Sequence, residues 1–514
     1  MSVRGATMAM HMLLVAAVCL LAVSAAMATT YYVDSVGGKD SNEGTSEALA
    51  WATLDKVNAT IFQPGDRILF KSGSSWNGQL WPKGSGEPGK PIILDHYGEG
   101  AKPCINGEGK VFEAVRLYNQ QHWEISNLEV TNLSPEGPAQ RAGVRVMGEE
   151  AGLLTHIVLR GLDVHDVNGD QRIGRDSGKC NAGILLDVIG SSVRTRFDDV
   201  LIEGCHVYRC DRGGIKTWTD WSRSGEAEWE PYTHLVIRNN VLDDIGGDGI
   251  VACMADAPLI EYNVASRCNA RSGVYNVAIW VWETDDAVIQ FNEAYLTKTT
   301  LDGQGFDIDG RTRRTIVQYN YSHDNEGGFI LLCEEGDGNP RRFNDGSIVR
   351  YNISQNDGAR IFQIGGKVTN ARIYNNTIYV GEGKGDPLMI LHNPAGPLWK
   401  RTWPEGIQYQ NNIFCNHGNG GFNLGASKSE FDYNVFVSPH HMGEPSDPHK
   451  LTSDPLFVNP GSGAVGRDTV DGYKLQPGSP CIDSGAPITD NGGRDYWGNR
   501  VPSGRGTDRG AHEQ

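Results

Sequence analysis

The sequence predicts an all-β protein built as a single-stranded parallel β-helix, and three observations support that fold class. A phrase rich in apolar residues recurs through the second half of the chain, and each copy carries an Asn at the same point. The copies lie 22 to 36 residues apart, a period typical of stacked repeats. An apolar, strand-like run precedes each copy. The recurring residues are Asn240, Asn263, Asn292, Asn320, Asn352, Asn376, Asn412 and Asn434.

The recurring Asn predicts a ladder of side chains inside the solenoid. Each repeat must bury its apolar face against its neighbours. An Asn tolerates the left-handed turn conformation and hydrogen-bonds backbone locally, so we expect these residues at a turn. Stacked coil on coil, their amides can also bond one another. Cys205 holds the equivalent position one coil before Asn240.

The N-terminal 28 residues have the pattern of a signal peptide. Arg4 precedes the apolar run Met12–Val23, and an A-x-A cleavage pattern ends at Ala28. The run is shorter than the roughly 20 residues that cross a bilayer. We therefore expect a secreted or periplasmic protein without a membrane span.

The remaining chain divides into three consecutive parts. Residues 29–110 are predicted to form an N-terminal cap, with a short helix that places Ala50, Leu54 and Val57 on one face. Residues 111–440 should form about ten coils of the helix. Residues 441–514 are rich in Gly, Pro and Asp and are predicted to close the solenoid. Since no linker separates a second domain, we expect one architecture and a monomer.

Charge and cysteine content narrow the function classes. The chain has 63 Asp and Glu against 46 Lys and Arg, a formal net charge of −17. This balance argues against nucleic acid or an anionic membrane as the main partner. Ten cysteines are present, one within the N-terminal 28 residues, and no CxxC or Cys/His spacing indicates zinc. We expect most to be buried, with disulfides as the alternative in an oxidising compartment.

Four parts of the chain carry a resemblance to a known group. They are the opening YYVDSVGGKDSNEGTS, the segment PGDRILFKSG, the Tyr-Asn repeats and the ending DYWGNRVPSGRGTDRGAHE. Together they resemble secreted bacterial right-handed parallel β-helix proteins, the pectate-lyase-like group of carbohydrate-active enzymes. The resemblance implies a right-handed coil and a carbohydrate ligand. The group includes hydrolases, lyases and surface proteins, and the fold alone does not choose among them.

Alternation along the strands predicts which side chains face outwards. In the run Asp302–Asp309, Phe306 and Ile308 face the core, so Asp307 and Asp309 share the outer face. Two carboxylates this close raise one pKa, so one stays an acid while the other is ionised. This is the pair that glycosidic hydrolysis requires. A calcium site that includes Asp302, or a solvated Asp pair, are the alternatives.

Aromatic side chains are predicted on the same outer stripe. Trp280 and Trp282 precede the Asp pair by one coil, and Trp218 lies further back. Their faces suit stacking on sugar rings. The alternative is that long loops cover them. On the coil after the Asp pair, alternation places Ile330 and Leu332 outwards.

Further candidates support a different chemistry or a reserve role. Glu283 and Glu334 end strands near the Asp pair and are reserve carboxylates. The resemblance to pectate-lyase-like enzymes implies a Lys or Arg base, often with calcium, and Lys216 is the outward candidate. Arg360 is the alternative base and a candidate substrate contact. The acidic turn lacks the Asp-Asp pair expected for calcium, since Gly303-Gln304 stands there.

The leading hypothesis is therefore a secreted glycoside hydrolase that acts on a polysaccharide or oligosaccharide with paired carboxylates. A calcium-dependent polysaccharide lyase is the second hypothesis, and a non-catalytic carbohydrate-binding β-helix is the third. The sequence predicts no cofactor with certainty. Calcium is the one cofactor that stays an alternative, and no residue is assigned as a metal ligand.

Overall fold

The computed structural model describes residues 28–134, 140–169, 179–223, 229–335, 339, 341–437 and 442–514. The signal-peptide prediction therefore lies outside the described residues, apart from Ala28. Within the described part of the chain, three long sheets of parallel strands account for most of the structure. No described helix is long and apolar enough to cross a membrane.

The three sheets contain 18, 13 and 11 described strands. The strands of sheet 1 are Thr30–Val33, Arg67–Lys71, Ile92–Tyr97, Trp123–Ser126, Leu153–Arg160, Arg196–Glu203, Tyr232–Arg238, Ala255–Asp256, Leu259–Glu261, Val288–Gln290, Thr312–Arg313, Ile316–Gln318, Asn344–Asp345, Ile348–Arg350, Val368–Thr369, Arg372–Tyr374, Glu405–Gln410 and Lys428–Asp432. Those of sheet 2 are Ser75–Asn77, Cys104–Asn106, Glu129–Asn132, Asp163–Val167, His206–Cys210, Val241–Ile245, Val264–Ser266, Glu293–Tyr295, Tyr321–His323, Ile353–Gln355, Thr377–Val380, Ile413–Asn416 and Val435–Val437. Those of sheet 3 are Glu113–Tyr118, Ala142–Glu149, Ala182–Ile189, Gly213–Thr219, Ile250–Cys253, Ile279–Trp282, Gln304–Ile308, Gly328–Glu334, Arg360–Gly366, Leu388–Asn393 and Phe422–Asn423.

The chain visits the sheets in a fixed order, which makes the fold a parallel β-helix. One coil runs through Leu259–Glu261 in sheet 1, Val264–Ser266 in sheet 2 and Ile279–Trp282 in sheet 3. The next coil repeats this path, and each strand pairs in parallel with its counterpart. The predicted solenoid is confirmed, and its 11 described strands in sheet 3 agree with about ten coils.

Helical structure is confined to short segments of the described chain. The α-helix Leu54–Ala59 buries Leu54 and Val57, as predicted, whereas Ala50 is buried but lies before the helix, at the end of a 3-10 turn. The Thr53 side chain caps the α-helix by accepting a hydrogen bond from the Lys56 amide. Such a cap satisfies one of the free amides of the first turn. The 3-10 helices are Glu47–Leu49, Leu398–Lys400, Arg467–Thr469 and Asp471–Tyr473.

The asparagine ladder is present and fully buried. The side-chain amide of Asn320 donates to Oδ1 of Asn352 at 3.0 Å and to the Ile289 carbonyl at 2.9 Å. The same pattern runs from Asn240 to Asn434, where the Asp447 carboxylate ends it. Because each amide also satisfies backbone groups at the turn between sheets 1 and 2, the ladder fixes the register of the coils.

The left-handed turn conformation belongs to a different residue from the one predicted. The residue before each ladder position has a positive φ, from +50° at Tyr351 to +58° at Tyr433. The ladder Asn itself is not among the positive-φ residues. The turn therefore places the preceding side chain outside, where Tyr262, Phe291 and Tyr319 stack on one another. Cys205 holds the ladder position before Asn240, as predicted, and its amide donates to Oδ1 of Asn240 at 2.9 Å.

The C-terminal residues pack against the outside of the solenoid. Tyr473 and Tyr496 of this segment form an apolar cluster with Tyr321 and Ile353 of sheet 2. The described cysteines are all free thiols, and seven of the nine are buried. Burial in the core was the favoured expectation for them.

Candidate active site

A cleft of about 500 Å³ opens on the outer face of sheet 3. Its walls come from five consecutive coils, because the strands of sheet 3 stack side by side. Carboxyl groups are concentrated in it. The lining residues are Tyr275, Trp282, Asp302, Asp307, Asp309, Gly310, Arg311, Leu331, Cys333, Glu334, Glu335, Arg342, Gly365, Asn393 and Ala395.

The strand Gln304–Ile308 places two carboxyl groups in the cleft. Phe306 and Ile308 are fully buried in the core, so Asp307 points to the opposite face, and Asp309 follows on the same side. Asp307 and Asp309 each offer an oxygen that lies within 4.8 Å of the other and of the Cys333 sulfur. Alternation along the strand was sufficient to predict this placement. It did not reveal that Asp307 is only 4% exposed.

Asp302 joins the pair from the turn before the strand. Burial, and next the charge of Asp309, raise the pKa of Asp302 to about 7, while Lys179 and Arg360 oppose the shift. Burial, followed by Asp309 and Asp302, raises the pKa of Asp307 well above its usual range. One oxygen of Asp307 is buried without a hydrogen-bond partner. Burial and neighbouring carboxyl groups therefore raise the pKa of both Asp302 and Asp307.

One oxygen of the Asp309 carboxylate, Oδ1, accepts two hydrogen bonds. This oxygen accepts from the Gly310 amide at 2.6 Å and from the Cys333 thiol at 3.1 Å. Cys333 was missed by sequence reasoning, which placed Ile330 and Leu332 on the outer face. That assignment was wrong: Ile308 pairs with Leu332, and both face the core. Leu331 and Cys333 are the residues that face the cleft.

The three predicted tryptophans have different surroundings. Trp282 lines the cleft, with the Arg311 guanidinium 5.5 Å from its ring centroid. Trp280 is 5% exposed, and its indole N–H donates to Asp248 at 2.9 Å. Trp218 packs beside Trp282 at 5.7 Å between ring centroids. Trp282 is thus the one of the three that forms part of the described cleft wall.

The two reserve carboxylates, Glu283 and Glu334, have different surroundings. Glu283 is fully buried and accepts hydrogen bonds from the Ser222 hydroxyl, the Arg223 amide and the Arg311 guanidinium. These contacts make it an anchor for the cleft wall. Glu334 lines the cleft, accepts from the Arg311 amide at 2.8 Å, and burial raises its pKa to about 7.

The two candidate bases for the lyase chemistry lie outside the described cleft lining. Lys216 is 2% exposed, with its ammonium 4.9 Å from the centroid of the Trp218 ring. Arg360 donates to the Asp302 carbonyl at 3.1 Å. It therefore positions the acidic turn. Neither contact brings a cation into the space where a substrate would sit.

The cleft contains one group of side chains with metal-ligand spacing, formed by Asp307, Asp309 and Cys333. Calcium prefers about six to eight oxygen ligands. This group offers two carboxyl groups and a thiol, and sulfur is a ligand of softer metals than calcium. These donors do not fit calcium.

Three comparisons relate the chain to known proteins. A family model described as a right-handed β-helix region matches residues 113–294. A lacto-N-biosidase of Bifidobacterium longum subsp. longum is 28% identical over an alignment of 592 positions. The alignment covers 92% of this chain and 36% of the relative, so the chain spans about a third of that protein's length.

The fold likeness extends to a solved enzyme. The crystal structure of the GH136 lacto-N-biosidase from Eubacterium ramulus superposes with a TM-score of 0.60 and 25% identity, over 78% of this chain and 68% of that one. Its selenomethionine derivative gives the same TM-score at 24% identity, over 78% and 67% of the two chains. The protein is therefore a right-handed parallel β-helix like these relatives.

Proposed function

We propose that the protein is a glycoside hydrolase that cleaves a glycosidic bond with two carboxyl groups. The observation that carries the proposal is the grouping of Asp302, Asp307 and Asp309 in one cleft, with the pKa of Asp302 raised to about 7. Glycosidic hydrolysis needs one carboxylic acid and one carboxylate. The likeness to the lacto-N-biosidases supports the same reaction class.

Asp302 is the general acid in this proposal. An acid catalyst works best when its pKa lies near the operating pH, since it must hold a proton and still release it. Asp302, with a pKa of about 7, meets this condition. Asp307 is more deeply buried, and burial followed by the charges of Asp309 and Asp302 raises its pKa and keeps it neutral. We assign Asp307 the role of a neutral hydrogen-bond donor to the substrate.

Asp309 supplies the nucleophilic carboxylate. The proton of Asp302 passes to the glycosidic oxygen while Asp309 attacks the anomeric carbon, the C–O bond breaks, and a glycosyl ester forms. Ionised Asp302 then takes a proton from water, whose oxygen displaces Asp309 and regenerates the carboxylate. We propose this retaining route because Asp302 and Asp309 line the same cleft, where the charge of Asp309 raises the pKa of Asp302.

The cleft is closed towards the N-terminal coils. On the outer face of the preceding strands, Val251, Cys253 and Trp280 are at most 5% exposed and form an apolar cluster. Among the described residues, these buried side chains offer a glycan chain no further contact on this face, apart from the partly exposed Trp218 beside Trp282. We propose exo-type action that releases a short unit from the chain end. A lacto-N-biose unit is the first candidate, because the relatives are lacto-N-biosidases.

The lyase alternative has less support. It needs a free base beside the acidic group, and the described cleft lining offers Arg311 and Arg342 rather than Lys216 or Arg360. The Arg311 guanidinium is already paired with Glu283 at 3.1 Å. Action outside the cytoplasm is likewise a proposal, supported by the signal-peptide pattern that ends at Ala28.

The test uses purified protein and an oligosaccharide that ends in a lacto-N-biose unit, beside a panel of plant and microbial polysaccharides. Chromatography should show a new reducing end and a released disaccharide, and proton NMR of the first products should show retained anomeric configuration. Products that absorb ultraviolet light through an unsaturated bond, or loss of activity with EDTA, would instead favour the calcium-dependent lyase. Binding without any cleavage would favour the carbohydrate-binding protein.

A further inference from the structure

We infer that Cys333 is a positioning residue whose thiol holds Oδ1 of Asp309, so that the other oxygen faces the substrate. The inference rests on the proposed function, since it assigns Asp309 the nucleophilic role. It adds to the site a neutral hydrogen-bond donor that acts on the nucleophile. Three features of the structure carry it.

The first feature is the register between neighbouring coils. Strands Gln304–Ile308 and Gly328–Glu334 run in parallel, with Ile308 opposite Leu332. Asp309 follows Ile308, and Cys333 follows Leu332, so Asp309 and Cys333 lie side by side on neighbouring coils. The Cys333 sulfur lies 3.1 Å from Oδ1 of Asp309, within reach of a thiol hydrogen bond.

The second feature is that both donors bind the same oxygen. The Gly310 amide donates to Oδ1 of Asp309 at 2.6 Å, beside the thiol. A carboxylate with one oxygen held by two donors has a fixed plane and directs its other oxygen. Positioning of this kind lowers the barrier, because the reacting atoms need no further ordering.

The third feature is the protonation state of the thiol. Burial, and next the charges of Asp309 and Asp307, raise the pKa of Cys333 well above its usual range. The sulfur therefore keeps its proton and donates it. A neutral donor orients the carboxylate while leaving it more nucleophilic than an ion pair with arginine would.

The neighbouring coil leaves room for this arrangement. Cys333 pairs with Gly365 on the following strand. A Cβ at Gly365 would lie 3.2 Å from Nδ2 of Asn393 and 3.6 Å, an ordinary contact distance, from Cβ of Cys333. Gly365 itself adds no side chain beside Cys333, and both residues line the cleft.

The test compares Cys333→Ser, which keeps a donor, with Cys333→Ala and Cys333→Val, which remove it. Valine also keeps the side-chain volume. We expect Cys333→Ser to stay within about threefold of the wild-type kcat, and the other two to lose roughly 10- to 100-fold with little change in KM. Melting temperatures, measured in parallel, report any loss of stability.

The pH profile supplies a readout that a purely structural role would not move. A hydrogen bond to a carboxylate favours its charged form and lowers its pKa. Without the thiol, the acid limb of kcat/KM should move to higher pH, and Cys333→Ser should restore it. Unchanged kcat and an unchanged acid limb in both Cys333→Ala and Cys333→Val would overturn the inference.

A reversible reagent avoids any dependence on folding of the variants. Methyl methanethiosulfonate, applied at alkaline pH so that a fraction of the thiol ionises, converts it to a methyl disulfide and releases methanesulfinate. Mass spectrometry of the folded wild-type enzyme verifies that Cys333 is modified and the donor removed. Activity should fall and return with dithiothreitol, and Cys333→Ser should resist the reagent. Cys104→Ser, which changes the other partly exposed thiol, should remain as sensitive as the wild type. Inactivation that persists in Cys333→Ser would contradict the inference.

The outcomes also separate this inference from the proposed function. A wild-type protein that cleaves no glycoside overturns the proposed function and the role of Cys333 together. An active wild type whose Cys333 variants and modified form behave like it overturns the role of Cys333 alone.

Discussion

Two carboxyl groups seven positions apart in the chain acquire different chemistry from where the fold places them. Asp302 lies in the turn before a strand of sheet 3 and Asp309 just after it. Burial and the Asp309 charge raise the pKa of Asp302 to about 7. Alternation identified Asp307 and Asp309, because they share a strand face. It could not identify Asp302 as an acid, because burial and charge at a turn depend on contacts made by distant coils.

The first prediction separates the roles of the two groups. Asp302→Asn and Asp309→Asn should each lower kcat on a natural glycan about 100-fold or more. With an aryl glycoside whose leaving group needs no protonation, Asp302→Asn should still form the glycosyl-enzyme and azide should speed turnover with retained configuration. Asp309→Asn should lack that first step. These rates come from stopped-flow and product analysis.

Controls for this prediction lie inside and outside the cleft. Asp307→Asn keeps the volume and a donor, so we expect a smaller loss than for Asp309→Asn. Asp55→Asn changes an exposed carboxylate in the short helix and should leave kcat unchanged. Equal activity of wild type and both Asp302→Asn and Asp309→Asn would refute the assigned pair.

The second prediction concerns pH. Asp302 must be protonated to act as the acid, so activity should be high below pH 7 and fall as the pH rises through about 7, where this carboxyl group ionises. Burial raises the pKa of Glu334 to about 7 as well, so a matched variant is needed. The alkaline limb of kcat/KM should persist in Glu334→Gln. Loss of the limb in that variant would transfer the acid role to Glu334.

At the scale of elements, the ladder was readable from the sequence and one strand face was not. The Asn repeat predicts the coils because each buried amide must find partners, and stacked copies supply them. The face of Gly328–Glu334 was misassigned because both Phe329 and Ile330 are fully buried in the core. The strand begins at Gly328, whose φ is +137°. The alternation of inward and outward side chains therefore starts at Ile330, one residue later than the sequence pattern predicts.

The third prediction tests the ladder. Asn320→Ala should lower the free energy of unfolding by about 1–3 kcal/mol, because buried backbone and side-chain groups lose their partners. Those groups include the Asn292 amide, which donates to Oδ1 of Asn320 at 2.8 Å, and the Ile289 carbonyl. Denaturant unfolding measures the change. Asn423→Ala, at an exposed position, is the matched control, and equal loss in both variants would contradict a ladder-specific effect.

At the scale of the whole molecule, packing between coils decides what the outer stripe can bind. The sequence places Trp218, Trp280 and Trp282 on one face, and three equivalent sugar contacts were expected. The structure buries Trp280 against Asp248 and leaves Trp282 in the cleft wall. This difference depends on segments far along the chain, such as the one that carries Asp248. No local pattern reports such contacts.

The last prediction follows from the proposed exo-type action. Among the described residues, Val251, Cys253 and Trp280 are buried on the outer face beyond Trp282, and the proposed exo-type action therefore places only a chain end in the cleft. The earliest products should therefore be one short oligosaccharide, with little drop in polymer viscosity per bond cleaved. Time-resolved chromatography of a reducing-end-labelled substrate checks this, since the label should stay on the long fragment. Early appearance of a range of labelled fragment lengths would show internal cleavage and contradict a closed cleft.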